Sequence, residues 1–275
     1  MNYETKNSSI MKPEGPDIYK LDRYNDPYKL DQAYSTDHHI CVSALTNKNA
    51  SFIEAIIRLD SNYADDDVLE KVGSTRFWFD FISKNRSIVD FTKGIYEVVK
   101  AIDKANSTHL VACEDGWTKM ADTIINYCTD YDGLIFCLQQ DIDTYNWPLR
   151  ENHLFCQMSA PMKCKNRDGT ERCNISFASK FLSCASHYLL GDDTRYPKYD
   201  RVVSQKLPYY VYVYLGETFH ENDYQVNGAS KSYEEKIDIY IKYVRDIRRI
   251  LALPSVKKEG IDFNTFDHII WYCNK

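Results

Sequence analysis

Residues 176–184 read Ser176-Phe177-Ala178-Ser179-Lys180-Phe181-Leu182-Ser183-Cys184, and twenty positions after the lysine comes the aspartate of Tyr196-Pro197-Lys198-Tyr199-Asp200. Four residues separate Lys180 from Cys184, so a helix puts both on one face. A lysine near the start of one helix, a return turn and an aspartate at the start of the next would set an amine beside a carboxylate in one pocket. Such a pair suits chemistry at a glycosidic carbon. The carboxylate stabilises oxocarbenium character, and the amine attacks once it is neutral.

Cations gather around this stretch. Lys163, Lys165, Arg167 and Arg172 precede Lys180, and Arg195, Lys198 and Arg201 surround Asp200. The net charge of the chain is −6, but residues 1–150 carry 16 Lys and Arg against 24 Asp and Glu, whereas residues 151–275 carry 18 against 16. A local basic footprint can hold phosphates even on an acidic protein, with an affinity that falls as salt rises. A further group, Lys242, Arg245, Arg248 and Arg249, recurs at helical spacing and taken alone reads as a solvated helix face.

Further out, the chain reads mainly as helix. Residues 51–59, 65–72, 87–102 and 117–128 repeat apolar side chains three and four apart. Tyr233 to Leu253 is the clearest long helix, stopped by Pro254, and a last helix over 265–273 has Asn264 or Thr265 as its cap. Tyr209 to Leu215 is aromatic and β-branched and favours strand by propensity. Lys165 to Gly169 is a turn and could be the tip of a short β-hairpin. Residues 1–35 are polar, contain Pro13, Pro16 and Pro27, and read as an extended arm, leaving 36–275 as a single helical domain in two parts, 36–150 and 151–275.

Composition narrows the function classes. The chain shows no apolar signal region and no run near the ~20 residues a membrane span needs, so a cytoplasmic protein without membrane contact is expected. Nine cysteines in such a chain are expected as reduced, buried thiols. No two of Cys156, Cys164, Cys173 and Cys184 show the short spacing of a zinc knuckle, and neither metal nor cofactor is expected. Gly-rich phosphate loops, HExxH and GxSxG motifs are missing, which argues against nucleotide-dependent enzymes, zincins and serine hydrolases.

Three patterns in chain order, Ser176 to Cys184, Pro197 to Asp200, and Asp267-His268-Ile269-Ile270-Trp271, resemble the helix-hairpin-helix DNA glycosylase/lyases, specifically the 8-oxoguanine DNA glycosylases of eukaryotic and archaeal type. The resemblance implies a mainly α fold with two subdomains flanking a cleft. It implies excision of a damaged or modified purine through a lysine Schiff base, with duplex DNA as partner. Lys180 and Asp200 fall on the catalytic lysine and aspartate. Cys184, Asp267 and Trp271 fall on the residues that pack against and read the flipped base. Asn47 or Asn49 falls on an early helix start that reaches toward the pocket. Ser176, Ala178, Ser179, Lys198 and Arg201 fall where the DNA backbone is held. The chain departs from the family pattern where the two hairpin glycines are Ser176 and Ala178, where Pro197 stands three residues before Asp200 instead of two, and where Val202 replaces a phosphate-contacting histidine.

Each piece also has an ordinary explanation. Asp200, Asp267, Asn47 and Asn49 are common cap residues, Cys184 and Trp271 are common core residues, and a single lysine is usually solvated. Two other readings therefore stand beside the enzyme. One is a catalytically reduced glycosylase-like protein that binds nucleic acid, of the kind found in bacterial anti-phage gene clusters. The other is a structural or interaction domain, which the 22 tyrosines would serve.

Overall fold

The computed structural model describes residues 42–59, 72–106, 108–144, 146–161, 171–226 and 231–274. The arm over 1–35, most of the helix expected over 65–72, the turn at 165–169 and the cations Lys163, Lys165 and Arg167 lie outside these residues.

The protein is mainly helical, and no strand occurs among the described residues. In chain order the helices are α1 (Asn47–Leu59), α2 (Thr75–Lys84), α3 (Ile88–Asn106), α4 (Gly116–Cys128), α5 (Tyr131–Gln139), α6 (Leu154–Ser159) and α7 (Ile175–Ala185). They continue with α8 (Arg201–Leu215), α9 (Tyr233–Leu251), α10 (Pro254–Lys257) and α11 (Phe263–Asn274). A π-helical turn, Ser186–Leu190, extends α7 without a break.

Two groups of helices pack around one core. α2, α3 and α4 pack in succession, α4 meets α6, and α6 and α3 both meet α7. On the other side α8 packs on α9 and α11, and α11 packs on α1. Thus α1 joins the C-terminal helices instead of its neighbours in sequence. Tyr210 and Tyr214 of α8 make that join, because their hydroxyls accept hydrogen bonds from Ser43 N (3.1 Å) and Leu45 N (2.7 Å). Aromatic contacts knit the two groups, including Phe155 of α6 stacked on Tyr240 of α9 with centroids 4.3 Å apart.

The segment with strand-like composition is the second half of α8. Local chemistry and burial overrule its propensity. Asp200 caps the helix by accepting from Val202 N at 2.7 Å, and Gly216, at φ +70°, closes it with its N–H on Tyr212 O. Between the caps Tyr209, Tyr210 and Val211 are buried, so the helix is held by the surface it covers. Pro254 does not merely stop α9, which ends at Leu251. It is the first residue of α10, a position where its missing N–H costs nothing. The cap of α11 is Asp262, whose carboxylate accepts from Thr265 N at 2.7 Å, and neither Asn264 nor Thr265 fills that place.

One cysteine departs from the expectation of reduced thiols. Cys113 is disulfide-bonded, while Cys128, Cys137, Cys156, Cys173 and Cys184 are free. No helix among the described residues is long and apolar enough to cross a membrane.

Candidate active site

Lys180 lies in the second turn of α7 and is 8% exposed. Phe177, Phe181, Ala178 and Leu182 flank it in the core, so the helix carries the lysine inward with its apolar neighbours. Its amine donates to the backbone oxygen of Asn106, the last residue of α3, at 3.1 Å. That acceptor belongs to a pinned corner. Buried Asp103 accepts from Thr108 Oγ1, Leu110 N, Val111 N and Trp117 Nε1, and Arg172 donates to Thr108 O and His109 O.

Burial pushes the Lys180 pKa down, because taking the ammonium out of water disfavours the charged form. Asp200 and Asp267 oppose that shift with their negative charge, and Lys198 adds to it. These groups therefore stand within electrostatic reach of one amine. Among the described residues no carboxylate forms an ion pair with Lys180, whose amine donates to Asn106 O.

The neighbouring residue, Ser179, fixes the arrangement. Its hydroxyl accepts from Tyr199 N at 2.8 Å and donates to Ser176 O at 3.0 Å, tying the residue before Asp200 to the residue before Lys180. Asp200 divides its role: Oδ1 caps α8, while its charge acts on Lys180.

Asp267 is the least satisfied group in the site. Its Oδ1 is enclosed and has no hydrogen-bond partner, and burial raises its pKa to about 6, with His268 and Lys198 pulling the other way. An enclosed carboxyl oxygen without a partner is costly to maintain and is the kind of group a ligand can satisfy.

Cys184 and Lys198, which act electrostatically on the Lys180 amine, also line a cleft formed by α7, its π-helical turn, the return segment 191–200 and the start of α11; Lys180, Asp200 and Asp267 are not among its lining residues. Cys184, His187 and Tyr188 line one wall, Asp193 and Lys198 the facing wall, and Phe263 and Asn264 the end. The Lys198 amine reaches Asn264 Oδ1 at 3.3 Å. The space open to the centre of a water molecule is about 30 Å³. A cavity that binds benzene is roughly 150 Å³, so a purine needs this cleft to open further.

The remaining expected residues are placed as follows. Trp271 packs edge-on against Tyr272, 4.9 Å between centroids, and does not line the cleft. Asn49 is 1% exposed, with its amide on Ala44 O at 2.8 Å, and ties α1 to the segment before it. Asn47 is exposed, accepts from Ser51 Oγ and directs its N–H at Glu259. Ala178 and Ser179 are fully buried, and Ala178 N is spent on Asn174 O. Ser176 to Lys180 therefore forms the first turns of a helix instead of a projecting hairpin. Serine and alanine in place of glycine allow this, since both are compatible with helical φ and ψ. Arg201 is exposed and makes no ion pair among the described residues.

Among the basic residues of 242–249, each is already matched. Lys242 pairs with Asp246, Arg245 with Asp143, Arg248 with Asp141 and Arg249 with Glu217. Two of these bonds join the acidic first half to the basic second half. The charge asymmetry of the sequence is thereby partly cancelled in the fold. Among the described residues no group of His, Cys, Asp or Glu could hold a metal ion.

The sequence reading missed His187 and Asp193. The signal was available, because His187 is seven residues after Lys180 and three after Cys184, and so continues their helical face. Compared with known proteins, the chain matches no family model, no curated protein and no solved structure.

Proposed function

We propose that the protein is a DNA N-glycosylase with associated AP lyase activity, on a helix-hairpin-helix glycosylase-like scaffold, that excises a damaged or modified purine such as 8-oxoguanine. The observation that carries this reading is the Lys180 amine. It is buried, shifted toward its neutral form by desolvation, and set among the carboxylates of Asp200 and Asp267 without being ion-paired to either. A neutral amine is the form that attacks a sugar C1′, and a nearby carboxylate favours positive charge developing there. Asp200 supplies that field from a fixed position, since its other function as a helix cap locks its rotamer. Cys184, four residues on, presents a polarisable surface in the adjoining cleft, where a base removed from the stack would lie.

The bond from Lys180 to Asn106 O also supports a second reading, a catalytically reduced protein on the same scaffold that binds nucleic acid. A lysine anchored on the last carbonyl of a helix is what a structural role requires.

Borohydride treatment in the presence of duplexes carrying 8-oxoguanine or an abasic site separates the two. The enzyme yields a covalent protein–DNA adduct that Lys180→Gln abolishes. An absence of adduct on both duplexes, with salt-dependent binding retained, selects the binding protein.

A further inference from the structure

We propose that His187, oriented by Asp193, is the proton-transfer residue of the cleft: it takes the C2′ proton from the sugar once Lys180 has formed its Schiff base. The inference rests on the lyase reading of Lys180 and extends it to the step that cuts the strand.

The geometry starts from one helical face. Lys180, Cys184 and His187 are spaced four and then three residues apart along α7 and into the π-helical turn. π-Helical turns within α-helices are frequent at functional sites. His187 Nδ1 lies 2.6 Å from Asp193 Oδ1 across the cleft. A carboxylate only accepts, so Nδ1 carries the hydrogen and Nε2 presents the lone pair in the neutral ring. Among the described residues Nε2 has no hydrogen-bond partner. A carboxylate fixing the tautomer so that the far nitrogen acts as a base is the working principle of the serine protease triad.

Elimination among the other groups leads to the same residue. Lys180 is consumed in the imine. Asp200 has one oxygen committed to Val202 N, and Asp267 is enclosed. The titratable and charged groups lining the cleft with His187 are Cys184 and Tyr188 on its own helix and Asp193 and Lys198 on the return segment; α11 brings the uncharged Phe263 and Asn264, and α5, which packs on the π-helical turn, carries Tyr131, Asp132 and Cys137. From α2 comes Phe79, stacked on Tyr188. Of these side-chain types only imidazole exchanges its proton near neutrality. The His187 side chain is 48% exposed, so a proton it accepts can pass to water and the residue can turn over.

The step balances without a further reactant. Imidazole Nε2 removes the hydrogen from C2′, and the C–H electron pair moves to form a double bond toward the iminium carbon. The nitrogen of the resulting enamine reforms the C1′ iminium, the C1′–C2′ pair shifts to make a C2′–C3′ double bond, and the 3′ phosphate oxygen leaves with its bonding electrons. The sugar remains as an unsaturated imine on Lys180, and imidazolium releases its proton to solvent.

A duplex with a single abasic site tests this without knowledge of the excised base. Borohydride trapping reads the Schiff base, and strand scission reads the elimination. His187→Gln and Asp193→Asn are expected to slow scission about 100-fold, a usual size for a lost acid–base group, and far more than they reduce trapping. Added imidazole is expected to restore scission in His187→Ala. Unchanged scission in His187→Gln overturns the proton-transfer role and leaves the Lys180 reading intact. Trapping and scission falling together also overturn it, because His187 would then only shape the cleft. No trapping by the wild-type protein overturns the Lys180 reading and this inference with it.

Discussion

Asp103 is buried and Asp267 has one enclosed carboxyl oxygen, and their surroundings give them opposite effects on stability. Burial works against the Asp103 carboxylate, but bonds from Thr108, Trp117, Leu110 and Val111 overcome it and hold the pKa below the usual range. A depressed pKa contributes stability above the unfolded value of about 3.9, and this is lost as pH falls through the folded value. Asp103→Asn turns a donor NH2 toward groups that themselves donate, and should cost about 2–3 kcal/mol in denaturant unfolding at pH 7. For Asp267 the sign reverses. Its pKa is raised to about 6, so the folded state holds a proton that the unfolded chain has released, and stability falls as pH climbs between about 4 and 6. Asp267→Asn should remove this fall, leaving the variant more stable than wild type at pH 7 by at most about 3 kcal/mol, checked by urea midpoints across pH. Neither behaviour was legible in the sequence. An aspartate within an apolar helix shows that it will be near the core, but its donors come from several residues away or, for Asp267 Oδ1, are missing.

Periodicity served well for elements with one wet face. α1, α3, α4 and α9 fall where apolar residues recur three and four apart, and the Ser232–Glu235 capping box fixes the start of α9. It served poorly for α8, where Tyr209 to Leu215 is governed by caps and by tertiary burial on more than one side. The joint between α2 and α3 was also hidden, although it is among the tightest in the fold. A Cβ on Gly94 would lie 2.3 Å from Ile82 Cγ1. Gly94→Ala should therefore destabilise by about 1–3 kcal/mol despite the better helix propensity of alanine, read as a lowered melting temperature. The candidate site was legible as far as its helical spacings reached: Lys180 and Cys184 share a face, and Asp200 begins a helix. Its depth was not. Trp271 packs against Tyr272 and, like Asp267, does not line the cleft, and His187 lines it without having been singled out. Which way a helix face turns is decided by its neighbours across the core.

At the level of the whole molecule, two cations of the second half, Arg245 and Arg248, are occupied by carboxylates of the first. Arg245–Asp143 and Arg248–Asp141 are partly exposed pairs, so Arg248→Ala should cost no more than about 1 kcal/mol. If duplex DNA binds at the cleft, Arg245→Gln should leave the dependence of affinity on salt unchanged. Arg201→Ala should reduce the slope of log K against log salt by about 1, as loss of one phosphate contact does. The placement of α1 against α11 and α8 bears on how the protein comes into being. Hydrogen bonds there join Ser43 to Tyr210 across 167 residues of sequence, and α11 carries Asp267. On the ribosome α1 emerges long before the surface it must cover, and its buried face has to wait for a partner not yet translated. The amine–carboxylate cluster is thus completed only once α11 has been made, because Asp267 lies on that helix.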